Sequence, residues 1–174
     1  MSINTKNHKF QIIHTKSPYY DRGKVMEKSD RQRFQNRLQE LMKENNEMIP
    51  IELARVTQCD YHAVSNWLNG TFLPRYPSLL ALRNYFKVSF DFLLGLTDEE
   101  NYVNSSPHVS FSARLESLLN QRQLTKYALA KHLNVGQPTV SRWFLNGNIP
   151  ETTTLIKLSR FFDISIEYLT GFIN

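Results

Sequence analysis

Two stretches of this chain are copies of each other. Leu53–Pro74 reads LARVTQCDYHAVSNWLNGTFLP and Leu129–Pro150 reads LAKHLNVGQPTVSRWFLNGNIP. An offset of 76 residues pairs Leu53 with Leu129, Ala54 with Ala130, Ser65 with Ser141, Trp67 with Trp143 and Pro74 with Pro150. The register runs on, with Ser78–Gly95 falling on Thr154–Gly171. Upstream, Phe34–Met42 matches Phe111–Leu119 at an offset of 77, so the first copy holds one extra residue near Asn45-Asn46-Glu47. A turn between helices tolerates such an insertion. Two copies of about sixty residues each are two domains with their own small cores, not a solenoid.

The apolar spacing in each copy is helical. Phe34, Leu38, Leu41 and Met42 share one face of a first helix. Its start is expected at Ser29, because Ser29-Asp-Arg-Gln32 has the pattern of a capping box. Pro50 suits the first turn of a second helix, where a backbone N–H is dispensable. Asp60 is a good N-cap for a third helix, and its counterpart Gly136 a weaker one. Fourth helices are expected from about Pro77 and Thr152. Fifth helices follow the caps Ser89 and Ser165 and stop at Gly95 and Gly171. The expected fold class is all-α: two tandem five-helix domains, 29–98 and 111–174, joined by a polar linker over 99–110. Residues 1–28 belong to neither copy and include a weak strand pattern over Lys9–Thr15.

Within Leu129–Pro150, Leu129, Ala130 and Leu133 are spaced as one helix. A break at Asn134-Val135-Gly136 follows, then a second helix from Gln137 to Phe144. Val140 and Trp143 point inward, and Gln137, Thr139, Ser141 and Arg142 point outward. The motif A-x-x-L-x-V-x-x-x-x-V-S-x-W, carried by Ala130, Leu133, Val135, Val140, Ser141 and Trp143, resembles the repressor/Cro-type (XRE) helix-turn-helix family. The resemblance implies repressor-like five-helix domains whose third helix lies in the DNA major groove, braced by the second. It covers both copies but not the N-terminal segment.

On that reading Thr125 caps the second helix, whose free N–H groups and dipole attract a phosphate, and Lys126 adds charge. Gln137, Pro138 and Thr139 begin the recognition helix. A glutamine can bond adenine and an arginine guanine in bidentate fashion, so Gln137 and Arg142 are candidate base readers. The Thr139 methyl can meet a thymine methyl. Arg142 could instead hold phosphate. Ser141 completes the outward set, and Asn146 and Asn148 lie in the loop beyond. In the first copy the outward set is Tyr61, His62, Ala63, Ser65 and Asn66, with Asn66 standing where Arg142 stands in the second. Trp67 and Trp143 are expected to pack on the cores rather than stack on bases. Cys59 aligns with Val135 and is expected to be a small buried apolar residue.

Charge is distributed unevenly. Residues 1–33 carry +5, residues 34–110 carry −3 and residues 111–174 carry +3, within a total of +5. That balance suits a polyanionic partner without proving one. No apolar run approaches the ~20 residues of a membrane span, and the opening residues lack a signal peptide's apolar stretch. One cysteine cannot form an internal disulfide, which fits a reducing cytosol. The five histidines are scattered, so neither a metal nor a cofactor is expected. No phosphate-cradling glycine loop or nucleophile–base pair argues for an enzyme.

The N-terminal residues Phe10, Ile12, Ile13, Tyr19 and Tyr20 are too apolar for a purely solvated arm and too few to fold alone. Three readings stand for this segment: a small intermolecular sheet giving a dimer or tetramer, a basic arm along the minor groove, or a disordered tail. The first is favoured. Taken together, the expectation is a cytoplasmic, nucleoid-associated transcriptional regulator that binds a double-stranded DNA operator. The resemblance implies a repressor of a phage or conjugative-plasmid promoter. As a multimer the chain could join separated operators by looping DNA, and a protein antirepressor is a possible partner. About ten linker residues could extend to roughly 30 Å, near the ~34 Å between adjacent major-groove faces. The alternative is an antitoxin or adaptor in which one copy contacts protein. An exposed apolar patch on the first copy would favour it.

Overall fold

The computed structural model describes residues 25–145 and 148–173, with side chains from residue 30 onward. The described residues form ten helices and no strand. The first five are α1 Val25–Glu44, α2 Pro50–Thr57, α3 Tyr61–Leu68, α4 Tyr76–Phe86 and α5 Phe90–Leu93. The second five are α6 Phe111–Gln121, α7 Lys126–Leu133, α8 Gln137–Trp143, α9 Thr152–Phe162 and α10 Ile166–Leu169. From α2 and α7 onward the two sets are superposable in sequence at the repeat offset. The weak strand pattern, the apolar residues Phe10, Ile12, Ile13, Tyr19 and Tyr20, and Asn146 all lie outside the described residues.

The caps explain why the helices start where they do. The Asp60 carboxylate accepts from the backbone N–H groups of His62 and Ala63 at 2.9 and 3.2 Å. Thr125, Ser89 and Ser165 each accept from the N–H three residues on. Each satisfies an orphan donor, typically worth about 1 kcal/mol. The ends match as well: Gln58 and Asn134 close α2 and α7 in the left-handed region, and Lys87 and Asp163 close α4 and α9 likewise. The extra residue of the first copy sits in the α1–α2 turn. There Asn46 and Glu47 are both left-handed, where the second copy needs only Gln123.

One boundary differs from the sequence reading. α1 starts at Val25, so Ser29 lies inside the helix and is not its cap. Val25-Met-Glu-Lys28 contains no glycine or proline, and nothing in it stops the helix from extending upstream.

The buried apolar residues of the two sets of five helices run together in one continuous cluster. Phe34, Leu38, Leu53, Val64, Leu79, Leu82 and Leu93 are fully buried in the first. Leu115, Leu129, Val140, Leu155, Leu158 and Leu169 take the same role in the second. Each such side chain contributes roughly 1.5–3 kcal/mol of transfer free energy. Both tryptophans, Trp67 and Trp143, are buried in this core, as expected. Cys59 is only half-buried and packs at the core margin. A shared clamp fastens the first helix to the last: Arg37 stacks over Phe92 at 4.1 Å, and its counterpart Arg114 over Tyr168 at 3.9 Å.

The two sets are not beads on a string. α5 packs against α10. Asp30 of α1 receives a bidentate pair of hydrogen bonds from Arg160 of α9 at 2.7 and 2.9 Å. Thr152 donates its hydroxyl to the Pro74 carbonyl, and the Tyr76 side chain bonds that of Thr170. Arg83, with no solvent exposure, stacks on Phe172 at 4.2 Å and on Tyr102 at 4.8 Å.

The polar stretch between the sets is therefore no free tether. The Glu100 carbonyl accepts from Ser89 N–H, the Val103 carbonyl from Arg83, Ser105 bonds the Phe172 carbonyl, and His108 N–H donates to the Gly171 carbonyl at 2.8 Å. Gly171 has φ +87°, and a Cβ there would lie 1.9 Å from the Val109 carbonyl oxygen. Only glycine satisfies both constraints. Composition concealed this strap, because its anchors are mostly backbone groups, with the Ser105 hydroxyl and one arginine from α4.

Candidate nucleic-acid interface

In the second set, α7 and α8 are joined by the tight turn Asn134-Val135-Gly136, and they make the most extensive helix pair of the fold. Val140 and Trp143 anchor α8 inward. Gln137, Pro138 and Arg142 are exposed on the opposite side, and Thr139 and Ser141 are half-buried beside them. The Arg142 side chain lies back along its own helix, with Nε 3.4 Å from the Pro138 carbonyl. Its guanidinium thus stays on the exposed face with most of its donors available. Pro138, in the first turn, costs no hydrogen bond because that N–H has no intrahelical acceptor. Asn148 reaches back to the Arg142 carbonyl at 3.5 Å, which places its side chain against the end of α8.

Thr125 and Lys126 sit at the exposed start of α7. The Thr125 side chain is occupied in capping Ala128 N–H at 3.1 Å. Lys126 holds its ammonium 3.8 Å from the centre of the Phe144 ring, just past the end of α8. That cation–π contact fixes a positive charge at the junction of the two helices. It could not be read from sequence, since it joins residues in separate helices through a loop geometry. The N-terminal end of the α7 dipole and Lys126 make this edge attractive to a phosphate.

The first set keeps the frame and changes the chemistry. Tyr61 and His62 are exposed and meet edge to face at 5.9 Å, while Ala63, Ser65 and Asn66 are half-buried on α3. At the start of α2, Ile49 and Pro50 replace Thr125 and Lys126. Glu52, standing where the second set has Ala128, accepts from Ile49 N–H at 3.1 Å. A carboxylate there occupies the helix N-terminus and repels phosphate. Ile49, Ile51, Val56, Tyr61 and Phe72 are exposed large hydrophobic residues on this set, against Tyr127 and Leu145 on the second. The outward residues of α3 are not the only difference between the sets: the start of α2 also lacks the lysine and the hydroxyl cap of α7.

Comparison with known proteins bears on the second set. Residues 115–169 match the helix-turn-helix family model. The matched span runs from within α6 to the last residue of α10. An uncharacterized HTH-type transcriptional regulator, YqaE of Bacillus subtilis strain 168, is 32% identical over 59 residues. That similarity covers 34% of this chain and 51% of YqaE, so the chain spans about half the length of the relative it matches. No solved structure matches. Among the described residues no helix is long and apolar enough to cross a membrane, and no cluster of histidine, cysteine or acidic side chains has a metal-binding arrangement.

Proposed function

We propose that the chain is a sequence-specific, double-stranded-DNA-binding transcriptional regulator with two reading units, residues 29–98 and 111–174. The observation that carries this reading is the α8 face. Gln137, Thr139, Ser141 and Arg142 project from a short helix whose other side is locked by Val140 and Trp143 and braced by α7. Such a helix presents bidentate donors to base edges at fixed register. The helix-turn-helix match over residues 115–169 and the name of YqaE agree with it. The finer reading is a cytoplasmic repressor of a phage or conjugative-element promoter. It would exclude polymerase from an overlapping operator, loop DNA when oligomerised through residues 1–28, and be relieved by a protein antirepressor.

Anisotropy titrations of the full chain on DNA from its own promoter region and on random DNA test the proposal. Arg142→Ala should weaken specific binding by about 1–3 kcal/mol and leave random-sequence binding nearly unchanged if it reads a base. Equal loss on both would assign Arg142 to phosphate, and no loss on either would remove α8 from the interface. The exposed Ile49, Ile51 and Val56, together with Glu52 at the α2 N-terminus, favour a second reading in which the first unit contacts protein. Asn66→Ala decides it: an unchanged footprint and affinity would make the first unit an adaptor.

A further inference from the structure

The way the two units meet has the signature of a two-fold axis. At the join Ile166 N–H donates to the Asp91 carboxylate at 2.8 Å, and Phe90 N–H donates to the Glu167 carboxylate. By the repeat offset, Phe90 and Ile166 are equivalents, and so are Asp91 and Glu167. Each fifth helix is thus closed at its N-terminus by the second residue of the other fifth helix. Asp91 and Glu167 also hydrogen-bond to each other, so a residue touches its own counterpart. Contacts that are reciprocal, and that bring equivalents together, define an isologous interface. A head-to-tail repeat would pair two different surfaces. Further contacts join the two units beside the recognition helices: Pro74 meets Thr152, and Ala63, Asn66 and Trp67 share one cleft with Glu151, Thr152 and Thr153. The join is rigid: Arg83 and Glu167 are buried at 0% and 3% exposure, and the Asp30–Arg160 pair and the strap over 100–108 hold its flanks.

We infer that one chain is an intramolecular pseudo-dimer, in which Asp91 and Glu167 position α3 and α8 about a two-fold axis so that a single chain reads an inverted pair of unequal half-sites. The inference rests on the proposed DNA-reading function and names the symmetry of the site. The inversion follows because a two-fold rotation reverses the direction in which the second helix meets the duplex. The inequality follows because Tyr61, His62 and Asn66 stand where Gln137, Pro138 and Arg142 stand in the other half. Asp91 and Glu167 touch no DNA on this account; they are positioning residues.

Selection of binding sites from random duplex DNA with the full chain, followed by missing-contact footprinting of the winners, tests it. The expected winner holds two different half-sites in inverted orientation. Arg142→Ala should erase contacts in one half and Asn66→Ala in the other. Inserting five base pairs between the halves should weaken binding by roughly 10²-fold or more, because one rigid chain can then engage only one half. In Asp91→Ala/Glu167→Ala that penalty should shrink while binding to an isolated half-site stays unchanged, an effect that general destabilisation does not mimic. Should this variant fail to fold, the wild-type outcomes still decide. Half-sites in direct orientation would overturn the inference and leave the DNA-reading function standing. So would loss from both halves in Arg142→Ala, which would mean two chains each presenting α8, or protection of a single half-site. Recovery of no shared sequence would sink the DNA-reading function and the inference with it.

Discussion

Glu167→Gln is the most discriminating single change in the join. Burial first, then the hydrogen bond and the charge of Asp91, push the Glu167 carboxyl up to about 8, and burial raises Asp91 too. The pair therefore shares a proton at neutral pH, and its remaining negative charge faces the buried Arg83 guanidinium, 3.5 Å from Glu167. Below about 4.5, the ordinary value of a glutamate, both the folded and the unfolded chain hold the Glu167 proton. Above it the unfolded chain releases that proton and the native chain keeps it. Stability from this group is fully present at low pH and is lost as pH rises toward about 8. At 1.36 kcal/mol per pH unit, the loss between pH 5.5 and pH 8 is of order 2–3 kcal/mol. That is a large share of a typical 5–15 kcal/mol total. Glutamine keeps an acceptor for Phe90 N–H and a donor for Asp91 but has no proton to lose. Urea unfolding of both proteins at pH 5.5 and pH 8 reads the difference directly, and histidine titrations common to both cancel. The variant should lose about 1 kcal/mol or more less than wild type across that interval. Parallel losses in the two proteins would refute the shared-proton reasoning.

Further outcomes follow from the same contacts. Lys126→Ala should lower the slope of log binding constant against log salt by about one on any DNA, measured by anisotropy from 50 to 200 mM salt. Gly171→Ala should cost roughly 3 kcal/mol or more in chemical unfolding, since the strap backbone at Val109 would have to move and φ is left-handed. Gly136→Ala should cost little by the same assay, because its nearest neighbours lie at 3.7 Å or beyond. Deleting residues 1–24 leaves α1 intact and should reduce the mass seen by light scattering; an unchanged mass would end the idea that this segment assembles the chain.

The fold was largely legible because its signals are local. The repeat register, the periodic apolar residues and the caps Asp60, Ser89, Thr125 and Ser165 each act within a few residues of themselves. The start of α1 was misplaced because a capping-box pattern marks a helix start only where the chain upstream cannot itself be helical, and Val25–Lys28 can. The α8 face was legible for the same reason as the fold: a buried Val140 and Trp143 fix where Gln137 and Arg142 point. Burial of Arg83 and Glu167 was not legible. Each is a charged residue of ordinary surface type, and only the meeting of the two sets of helices takes it out of water. The strap was hidden for a related reason, since 99–110 is held mostly by backbone groups, which leave no trace in composition. The change in charge at this edge of the first unit was written in the sequence, as Ile49, Pro50 and Glu52 against Thr125, Lys126 and Ala128, but at the start of α2 rather than in α3.

The central claim is that α8 reads sequence. The measurement that tests it most directly is the ratio of affinities of the full chain for DNA from its own promoter region and for random DNA of the same length, at one salt concentration. A specific reader gives a ratio of about 10³ or more, with most of it lost in Arg142→Ala. Equal affinities in wild type would contradict the claim.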